Sequence, residues 1–536
     1  MTDIEIPVGK RTRQYRFFEI IPGILSYTMI ALPIILSVIN PLYGAIFVVV
    51  YIITWFVKSV GMSYRTIQGY NALQRASRVD WRARLQELED PKSSLKKQHY
   101  FGSWRAEIHE RNLDQLANTV NASKPSEIYN AIIIATYNES REILEPTIEA
   151  VLASDYDAQR MIMTIAYEAR GGEAIEKTVQ DLQQKYANRF HSFHIVKHPA
   201  DLPHEVIGKG GNITYAGKYL KTYLEEQSID PEKVLVTTLD ADNRPHSTYF
   251  SYATYEFLVH PEPRHIALQP LALFLNNIWD VPAPMRVLAT GNSFWNVVNS
   301  QRPHMLRNFA AHSQSMAALI DMDFWSVRTI VEDGHQFWRS YFRFDGHYDV
   351  VPIYVPIYQD AVLADGYRRT LKAQFVQLRR WAYGASDIAY VAKNIFRKDR
   401  TVPAFDGFAK FFRLLESHVS WASASVILLF GAWAPLYFSP ESSRSIVAHE
   451  LPNVASLLQR IAMIGLIIMV FLSFKMLPKR PERYKRRRNV WMVLQWVIMP
   501  ITSIIYGSAA AFYSQTRLLL GKYLDKFDVT EKAVRK

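Results

Sequence analysis

The sequence predicts an α/β fold, a doubly wound mixed sheet flanked by transmembrane and interfacial helices. Short β-rich apolar runs alternate with helical stretches from Ile128 onward, the order typical of parallel strands joined by crossover helices. Long apolar segments precede and follow this region. The mean hydropathy of -0.08 excludes a protein that is embedded in a membrane throughout.

The predicted strands end in polar residues. They are residues 129–136, 161–167, 193–197, 234–239 and 265–269, with helical patterns at 141–153, 173–187 and 212–226. Ligands bind at the carboxyl ends of the strands in such sheets. The polar residues at these ends are Thr136, Tyr137, Asn138, Glu139, Glu168, Asp240 and Asp242. We therefore expect the functional site at this edge.

Five apolar segments are close to the ~20 residues that a membrane-spanning helix needs. They are residues 20–39, 42–60, 419–438, 454–477 and 490–513. Asn40 and Pro41 form a tight turn between the first two, which predicts a retained helical hairpin. Gln495 and Pro500 weaken the last segment.

Basic residues predict the orientation. The run 479–488 is rich in Lys and Arg, and the N-terminal segment agrees with it, so the large domain is expected to be cytoplasmic. The net charge of +12 is attributed to topology and to anionic membrane lipids, and no nucleic-acid partner is expected. The chain has no Cys, which excludes disulfides and thiol catalysis.

Asp240-x-Asp242 and Glu332-Asp333 are the acidic pairs with catalytic potential. The first pair suits a nucleotide ribose and a divalent cation, and its alternative is a solvated turn. The second pair precedes the helical pattern 334–344. One of its carboxylates suits general-base work, whereas the alternative is an N-terminal cap that favours the helix dipole.

Two basic stretches complete the candidate site. The run Gln377-Leu378-Arg379-Arg380-Trp381 offers cations for a diphosphate and an indole face for a sugar ring, or it is an amphipathic helix at the lipid headgroups. Lys209 opens a predicted helix whose N–H groups suit phosphate. Three histidines, His312, His335 and His347, do not have metal-site spacing and are interpreted as structural or polar-surface residues.

The ordered set resembles the membrane-embedded family 2 glycosyltransferases, the group that includes bacterial cellulose synthase, hyaluronan synthase and chitin synthase. The resemblance spans residues 128–394, and residues 527–532 (Phe-Asp-Val-Thr-Glu-Lys) look like the F-x-V-T-x-K gating loop of cellulose synthases. It implies a GT-A-like domain at 128–400. The other predicted parts are a hairpin at 1–61, linker helices at 62–127, interfacial and transmembrane helices at 401–516, and a cytoplasmic tail at 517–536.

The resemblance also implies roles for individual residues. Asp333, beside Glu332, would be the catalytic base, Asp242 would hold Mg²⁺ or Mn²⁺, and Trp381 would meet the acceptor. The donor-binding residues implied are Thr136, Tyr137, Glu139, Glu168, Lys209, Asp240, Gln377, Arg380, Thr530 and Lys532. The function implied is inverting transfer from a nucleotide-sugar, for which UDP is the expected nucleotide, to a growing β-linked polysaccharide.

The sequence departs from the family at two positions. Glu168 stands within Tyr-Glu-Ala where many relatives have Asp-Asp-Gly, and Leu378 replaces a Gln or Arg. Two alternatives stay open: a single transfer onto a lipid or lipid-linked acceptor, and a non-catalytic membrane scaffold. Five full spans would place residues 527–532 outside. Either residues 490–513 are re-entrant or interfacial, which is the expected arrangement, or the resemblance of 527–532 to the gating loop is accidental.

Overall fold

A computed structural model describes residues 5–7, 9–96, 103–440, 445–524 and 532–533. Its sheet has eight strands in the order β3-β2-β1-β4-β7-β6-β8-β5. The strands are β1 (Tyr129–Thr136), β2 (Met161–Glu168), β3 (Ser192–His198), β4 (Val234–Asp240), β5 (Arg244–Pro245), β6 (Ile266–Leu273), β7 (Ser313–Ser315) and β8 (Asp349–Tyr358). The first four in this order are parallel, and β7 runs antiparallel to β4 and β6.

The helices alternate with the strands in the central part of the chain and lie apart from them at both ends. They are α1 (Arg13–Ile39), α2 (Pro41–Ala76), α3 (Trp81–Glu87), α4 (Pro91–Ser94), α5 (Ala106–Ala117), α6 (Arg141–Leu152), α7 (Gly172–Tyr186), α8 (Lys209–Glu226), α9 (Tyr249–Val259), α10 (Ala283–Ser300), α11 (Met316–Asp321), α12 (Glu332–Arg343), α13 (Tyr367–Ala382), α14 (Asp387–Ile395), α15 (Ala404–Phe430), α16 (Ala434–Phe438), α17 (Ile446–Met476), α18 (Arg488–Leu494), α19 (Met499–Thr502) and α20 (Ala509–Leu519).

Both faces of the parallel strands are buried, as expected where crossover helices cover a sheet. Ile132 and Ile134 of β1 belong to one apolar cluster with residues of α6 and α7, whereas Ile133 packs in a second cluster with residues of α8 and α11. This alternation follows from the two-residue period of a strand. The mixed α/β fold class expected from the sequence, with its long apolar helices, is confirmed.

Strand β8 was not predicted. It pairs parallel with β6, although Pro352 and Pro356 interrupt its sequence. Proline removes a ladder donor and argues against a central strand, so the sequence pattern hides this one. The pairing register between β6 and β8 shifts between Pro270 and Leu271. This irregularity lets the pair accommodate its prolines.

Within the residues that the structure describes, five helical stretches are long and apolar enough to cross a membrane: Arg13–Ile39, Pro41–Ala76, Ala404–Phe438, Ile446–Met476 and Arg488–Leu519. Asn40 ends α1, and its side chain accepts a hydrogen bond from the N–H of Leu42 at the start of α2. Helices α1 and α2 are therefore joined by a tight turn at Asn40 and pack against each other. Helix α2 continues through residue 62 without a break, where the sequence predicted a separate linker helix.

Candidate active site

The carboxyl ends of β1 and β2 are fixed by one acid and one amide. Glu139 accepts hydrogen bonds from the Thr136 hydroxyl at 2.7 Å and from the Tyr137 N–H at 2.8 Å. The buried Asn212 side chain donates to the carbonyl of Thr136 at 3.3 Å and to that of Ala166 at 2.9 Å. These contacts tie the first turn of α8 to both strand ends and hold the expected edge of the sheet in place.

Glu168 lies at the end of β2 and is 6% exposed. It pairs with Arg170, whose guanidinium lies 5.0 Å from the centre of the Tyr137 ring. A carboxylate, a guanidinium and an aromatic ring from neighbouring strand ends therefore lie side by side. Such an arrangement combines stacking with hydrogen-bond acceptors, as recognition of a planar base requires.

Asp240 and Lys209 form the central ion pair, with 2.7 Å between Asp Oδ1 and Lys Nζ. Burial raises the pKa of Asp240, but the charges of Lys209 and Lys532 outweigh this effect and lower it below its usual value. Burial likewise lowers the pKa of Lys209, and Asp240 with Glu332 raises it above its usual value. Both groups are therefore charged at neutral pH.

Asp242 lies on the other side of the turn that ends β4, is 7% exposed, and is held from two directions. Its Oδ1 accepts from Lys532 Nζ at 2.8 Å, and its Oδ2 accepts from the Asp360 N–H at 2.9 Å. Lys532 also lies 4.0 Å from Glu139. Burial and the charge of Asp242 raise the pKa of Asp360 to about 6.

Glu332 and Asp333 form the first turn of α12, which begins two residues before the predicted start. Burial, followed by the charge of Asp333, raises the pKa of Glu332 to about 8. Burial also raises the pKa of Asp333, although Lys209 and a 2.7 Å hydrogen bond from the Gly334 N–H oppose it. At neutral pH the two adjacent carboxyls therefore retain a proton that an exposed pair of carboxyls would lose.

Close packing explains why this acidic pair faces Lys209. A Cβ atom at Gly210 would lie 2.4 Å from the carbonyl oxygen of Ser326 and 3.2 Å from Cβ of Glu332. Only glycine lets the start of α8 come this close to the start of α12. Residues about 120 positions apart thus meet at one point.

Helix α13 carries the predicted Gln-x-x-Arg-Trp residues. Arg380 lies within electrostatic range of both Asp240 and Asp333. Gln377 accepts a hydrogen bond from Gln374 at 3.2 Å. The half-buried Trp381 packs beside Phe274, with 5.9 Å between their ring centres. The helix therefore brings a cation to the acidic cluster and an indole to its border.

The structure brings together most of the predicted site residues and adds others. The predicted residues at this edge are Thr136, Tyr137, Glu139, Glu168, Lys209, Asp240, Asp242, Glu332, Asp333, Arg380 and Lys532. Thr530 lies outside the described residues. Asp360 and Arg170 were missed; Asp360 is a strand-end acid that follows β8, so recognising that strand would have found it.

The carboxylates at the end of β4 fit a hard divalent cation. Within the described part of the chain, no group of three or more His, Cys, Asp or Glu side chains is arranged to hold a metal. Mg²⁺ is commonly held by one or two carboxylates together with substrate phosphates, so Asp240 and Asp242 fit this mode. Lys532 already supplies a cation to Asp242, and one oxygen of Asp360 is buried without a hydrogen-bond partner.

Comparison with known proteins found no matching family model and no matching curated protein. Among solved structures, the chain is similar to the mannosyltransferase PcManGT from Pyrobaculum calidifontis in complex with GDP-Man and Mn²⁺, with a TM-score of 0.40 and 14% identity over 81% of this chain and 100% of that chain. It is also similar to residues 1–349 of TarS from S. aureus in complex with UDP-GlcNAc, with a TM-score of 0.36 and 11% identity over 74% and 93% of the two chains.

A third similar structure is glucosyl-3-phosphoglycerate synthase from Mycobacterium tuberculosis in complex with Mn²⁺, UDP and phosphoglyceric acid. Its TM-score is 0.28 and its identity 10%, over 46% of this chain and 75% of that chain. Scores and identities at this level decide neither the reaction nor the substrate. The chemistry of this chain has to be inferred from its own residues.

Proposed function

We propose that the protein is an inverting membrane glycosyltransferase of the hexosyltransferase kind, similar to family 2. The observation that carries the proposal is the contact between two charged sets at one edge of the sheet. The Lys209–Asp240 ion pair of 2.7 Å lies beside the buried carboxyls of Glu332 and Asp333. Such a site offers a base and groups for a charged leaving group within the same cluster.

Asp333 is the proposed base. In transfer with inversion, a base removes the proton of the acceptor hydroxyl while that oxygen attacks the anomeric carbon from the side opposite the leaving diphosphate. A carboxylate whose pKa is raised toward neutrality is a better base than an exposed one, and burial raises the pKa of Asp333. An α-linked donor then gives a β-linked product.

The remaining residues are proposed to hold the donor. Arg380 and Lys209 face the position of the diphosphate, where positive charge stabilises the leaving group. Asp242, with Asp240, would hold Mg²⁺ or Mn²⁺, which supplies Lewis-acid charge to the diphosphate oxygens. The other donor-binding residues proposed are Thr136, Tyr137, Glu139, Glu168, Gln377, Thr530 and Lys532, and Trp381 is proposed to contact the acceptor.

The proposed donor is a UDP-sugar, and the proposed acceptor is a growing β-linked polysaccharide. A single transfer onto a lipid or lipid-linked acceptor is the second candidate. The few apolar helices that follow the sheet domain favour this second candidate, because they offer little material for a channel that would export a polymer.

A donor screen tests the proposal. The purified, detergent-solubilised protein is incubated with UDP- and GDP-sugars and with Mg²⁺ or Mn²⁺, and release of nucleoside diphosphate and product size are measured. We expect metal-dependent release by the natural chain and none by Asp242→Asn. Release that is equal in both proteins, or absent with every donor, would contradict the proposal, and product length separates the two acceptors.

Contacts before and after the last apolar stretch, Arg488–Leu519, support a position of the C-terminal tail on the same side of the membrane as the candidate active site. Trp279 donates to the carbonyl of Pro478 at 3.1 Å, and Arg483 pairs with Asp280 at 2.7 Å, so the loop before the helix touches the sheet domain. Lys532, after the helix, touches Asp242. We infer that Arg488–Leu519 does not cross the membrane, which makes it interfacial or re-entrant.

Contacts along the same helix agree with an interfacial position. Arg286 of α10 donates to Gln495 at 2.5 Å, and Ser514 donates to the Arg379 carbonyl at 2.5 Å. Two points about 19 residues apart in sequence therefore both touch the sheet domain. The domain and the tail are proposed to be cytoplasmic, because the basic loop lies on their side.

Single cysteines test this arrangement, because the natural chain has none. Variants Lys92→Cys, Lys479→Cys and Lys522→Cys are labelled in intact cells with a membrane-impermeant thiol reagent. All three should react only after the membrane is opened. Labelling of the third variant alone in intact cells would show that the last helix crosses.

A further inference from the structure

The chain contacts α12 before it enters the first apolar helix. Residues 5 and 6, here called the N-terminal arm, lie against α12 and against the loop 324–331 that leads into it. Ile6 is 6% exposed and belongs to the same apolar cluster as Ile330 and Val331. The arm is therefore part of the packing around the start of α12, which carries two buried carboxyls of the candidate active site.

Both carboxylate oxygens of Glu5 are engaged, each with a different element. Its Oε1 lies 2.8 Å from Nη2 of Arg339 on α12, and its Oε2 accepts a hydrogen bond from the Ser326 hydroxyl at 2.6 Å. The carbonyl of the next residue, Ile6, accepts from Nη1 of Arg328 at 3.0 Å. Two side chains of the loop and one of the helix thus hold the arm in place.

Arg339 needs this carboxylate because its own charge is buried. Its side chain is 1% exposed, and its other guanidinium contacts are neutral. It donates to the carbonyl of Met322 at 2.7 Å, to that of Phe324 and to the Gln336 side chain. Among the residues that the structure describes, Glu5 is the one carboxylate that forms an ion pair with Arg339. Since removal of one partner leaves the other charge buried and uncompensated, α12 would be held less firmly without Glu5.

Arg339 and Glu332 lie on one side of α12. They are seven residues apart in the helix, which is close to two turns, or about 10 Å along the axis. A contact that fixes the helix at Arg339 therefore also fixes the rotation of its first turn. That turn carries the acid pair Glu332–Asp333, so the arm acts on the acid pair through the body of the helix.

Ser326 connects the arm to the helix that begins with Lys209. Its hydroxyl contacts Glu5, while its carbonyl oxygen lies so close to Gly210 that a Cβ there would be 2.4 Å away. The carbonyl of the preceding residue, Trp325, accepts a hydrogen bond from Thr214 of α8 at 2.9 Å. The arm, the loop 324–331 and the first turns of α8 therefore form one continuous set of contacts.

We propose that Glu5 is a positioning residue, which holds α12 and its preceding loop in the arrangement that brings Asp333 to Lys209. This inference rests on the proposed function, because it assigns Glu5 to the reaction in which Asp333 is the base. Lys209 has a separate support, since Asn212 ties the first turn of α8 to the strand ends. Loss of the Glu5 carboxylate should therefore slow transfer and leave donor binding unchanged.

The test variant is Glu5→Gln, which keeps the shape of the side chain but removes its charge. In the assay of nucleoside diphosphate release, its kcat should fall about tenfold. The Kd for the donor nucleotide, measured by isothermal titration, should change by less than about twofold. Glu5→Asp keeps the charge and should recover most of the rate. The matched control Glu225→Gln removes the same charge from an exposed position of α8 and should keep the natural kcat.

Three outcomes would overturn the proposal. An unchanged kcat in Glu5→Gln would show that the arm does not act on the reaction. A loss of donor affinity as large as the loss of kcat would show general disruption of the site instead of positioning of the base. An equal loss of kcat in Glu225→Gln would show that the net charge of the chain matters and that the place of Glu5 does not.

Hydrogen–deuterium exchange tests the arm without relying on glycosyl transfer. In the detergent-solubilised full chain without donor, the backbone amides of residues 324–343 should exchange about tenfold faster in Glu5→Gln than in the natural chain, because α12 and its loop are held less firmly. The amides of β1 and β2 are the internal control and should exchange equally in both proteins.

This measurement separates two kinds of failure. Equal exchange at residues 324–343 in both proteins would contradict the role of the arm, whatever the activity. Absence of nucleoside diphosphate release by the natural chain would contradict the proposed function on which that role rests.

Discussion

The candidate active site and the arginine Arg302, in the loop before β7, differ in how their charges are balanced. At the strand ends each acidic group faces a cation: Asp240 pairs with Lys209 and Asp242 pairs with Lys532. Beside α15, Arg302 lies near the like charges of Arg65 and Arg413, although Arg413 also lies near the carboxylate of Asp406. The first region is electrically complete in the free protein, whereas the second is not.

This difference teaches how each region is expected to respond to a ligand. In a balanced cluster, an incoming ion has to replace a partner that is already present, so binding is an exchange. In an unbalanced cluster, an incoming anion relieves repulsion and satisfies idle donors, so binding stabilises the fold directly. Single substitutions that change one charge should therefore have opposite effects on stability in the two regions.

The largest effect is expected at the proposed base. Asp333→Asn removes the group that accepts the proton but keeps its shape, so turnover should fall about a thousandfold while donor binding is preserved. Steady-state kinetics and isothermal titration with the donor nucleotide measure the two quantities. Glu332→Gln, the same kind of change at the adjacent residue, is the control variant. Full turnover by the Asp333→Asn variant would show that Asp333 is not the base.

A smaller effect is expected in the dependence of stability on pH. The pKa of Glu332 is about 8 in the folded chain, above its ordinary value near 4.5. The folded state therefore binds a proton that the unfolded state has lost between these values, so this group makes stability fall as pH rises from 4.5 to 8. Glu332→Gln does not titrate and removes that slope.

The measurement is the difference in the free energy of unfolding between the natural chain and Glu332→Gln from pH 5 to pH 8. Across this range the free energy of unfolding of the variant should rise relative to that of the natural chain by on the order of 2 to 5 kcal/mol. Arg486→Gln, in the exposed basic loop, controls for a general effect of charge. A constant difference would show that Glu332 is ionised in the folded protein at neutral pH.

The smallest effects compare the two regions directly. In EDTA, Lys532→Met leaves Asp242 without its cation and should lower the free energy of unfolding by about 1 to 3 kcal/mol, and Mn²⁺ should restore part of it. In lipid-free detergent, Arg302→Gln removes a charge whose charged neighbours are Arg65 and Arg413 and should raise the free energy of unfolding by about 0.5 kcal/mol. Thermal unfolding measures the stability of both variants. Changes of the same sign in the two variants would contradict the proposed difference between the two regions.

Much of the central sheet was predictable because the signals are local. Strand β1 has the predicted bounds, and α8 begins at Lys209, where Lys-Gly-Gly-Asn marks its start. The acids after β1, β2 and β4 were found from position alone, since each follows an apolar run. Strand β8, and with it Asp360 two residues beyond its end, escaped prediction because two prolines interrupt the apolar run.

The sequence by itself determined the α/β fold class, the number of membrane-length helices and the residue types at the strand ends. These follow from periodicity, length and hydropathy, which depend on neighbouring residues. Only the tertiary structure decided which charges meet. Lys209 finds Asp240, Lys532 finds Asp242, and Arg302 approaches Arg413. These partners are far apart in the chain, so their pairing depends on how the elements pack and not on any local pattern.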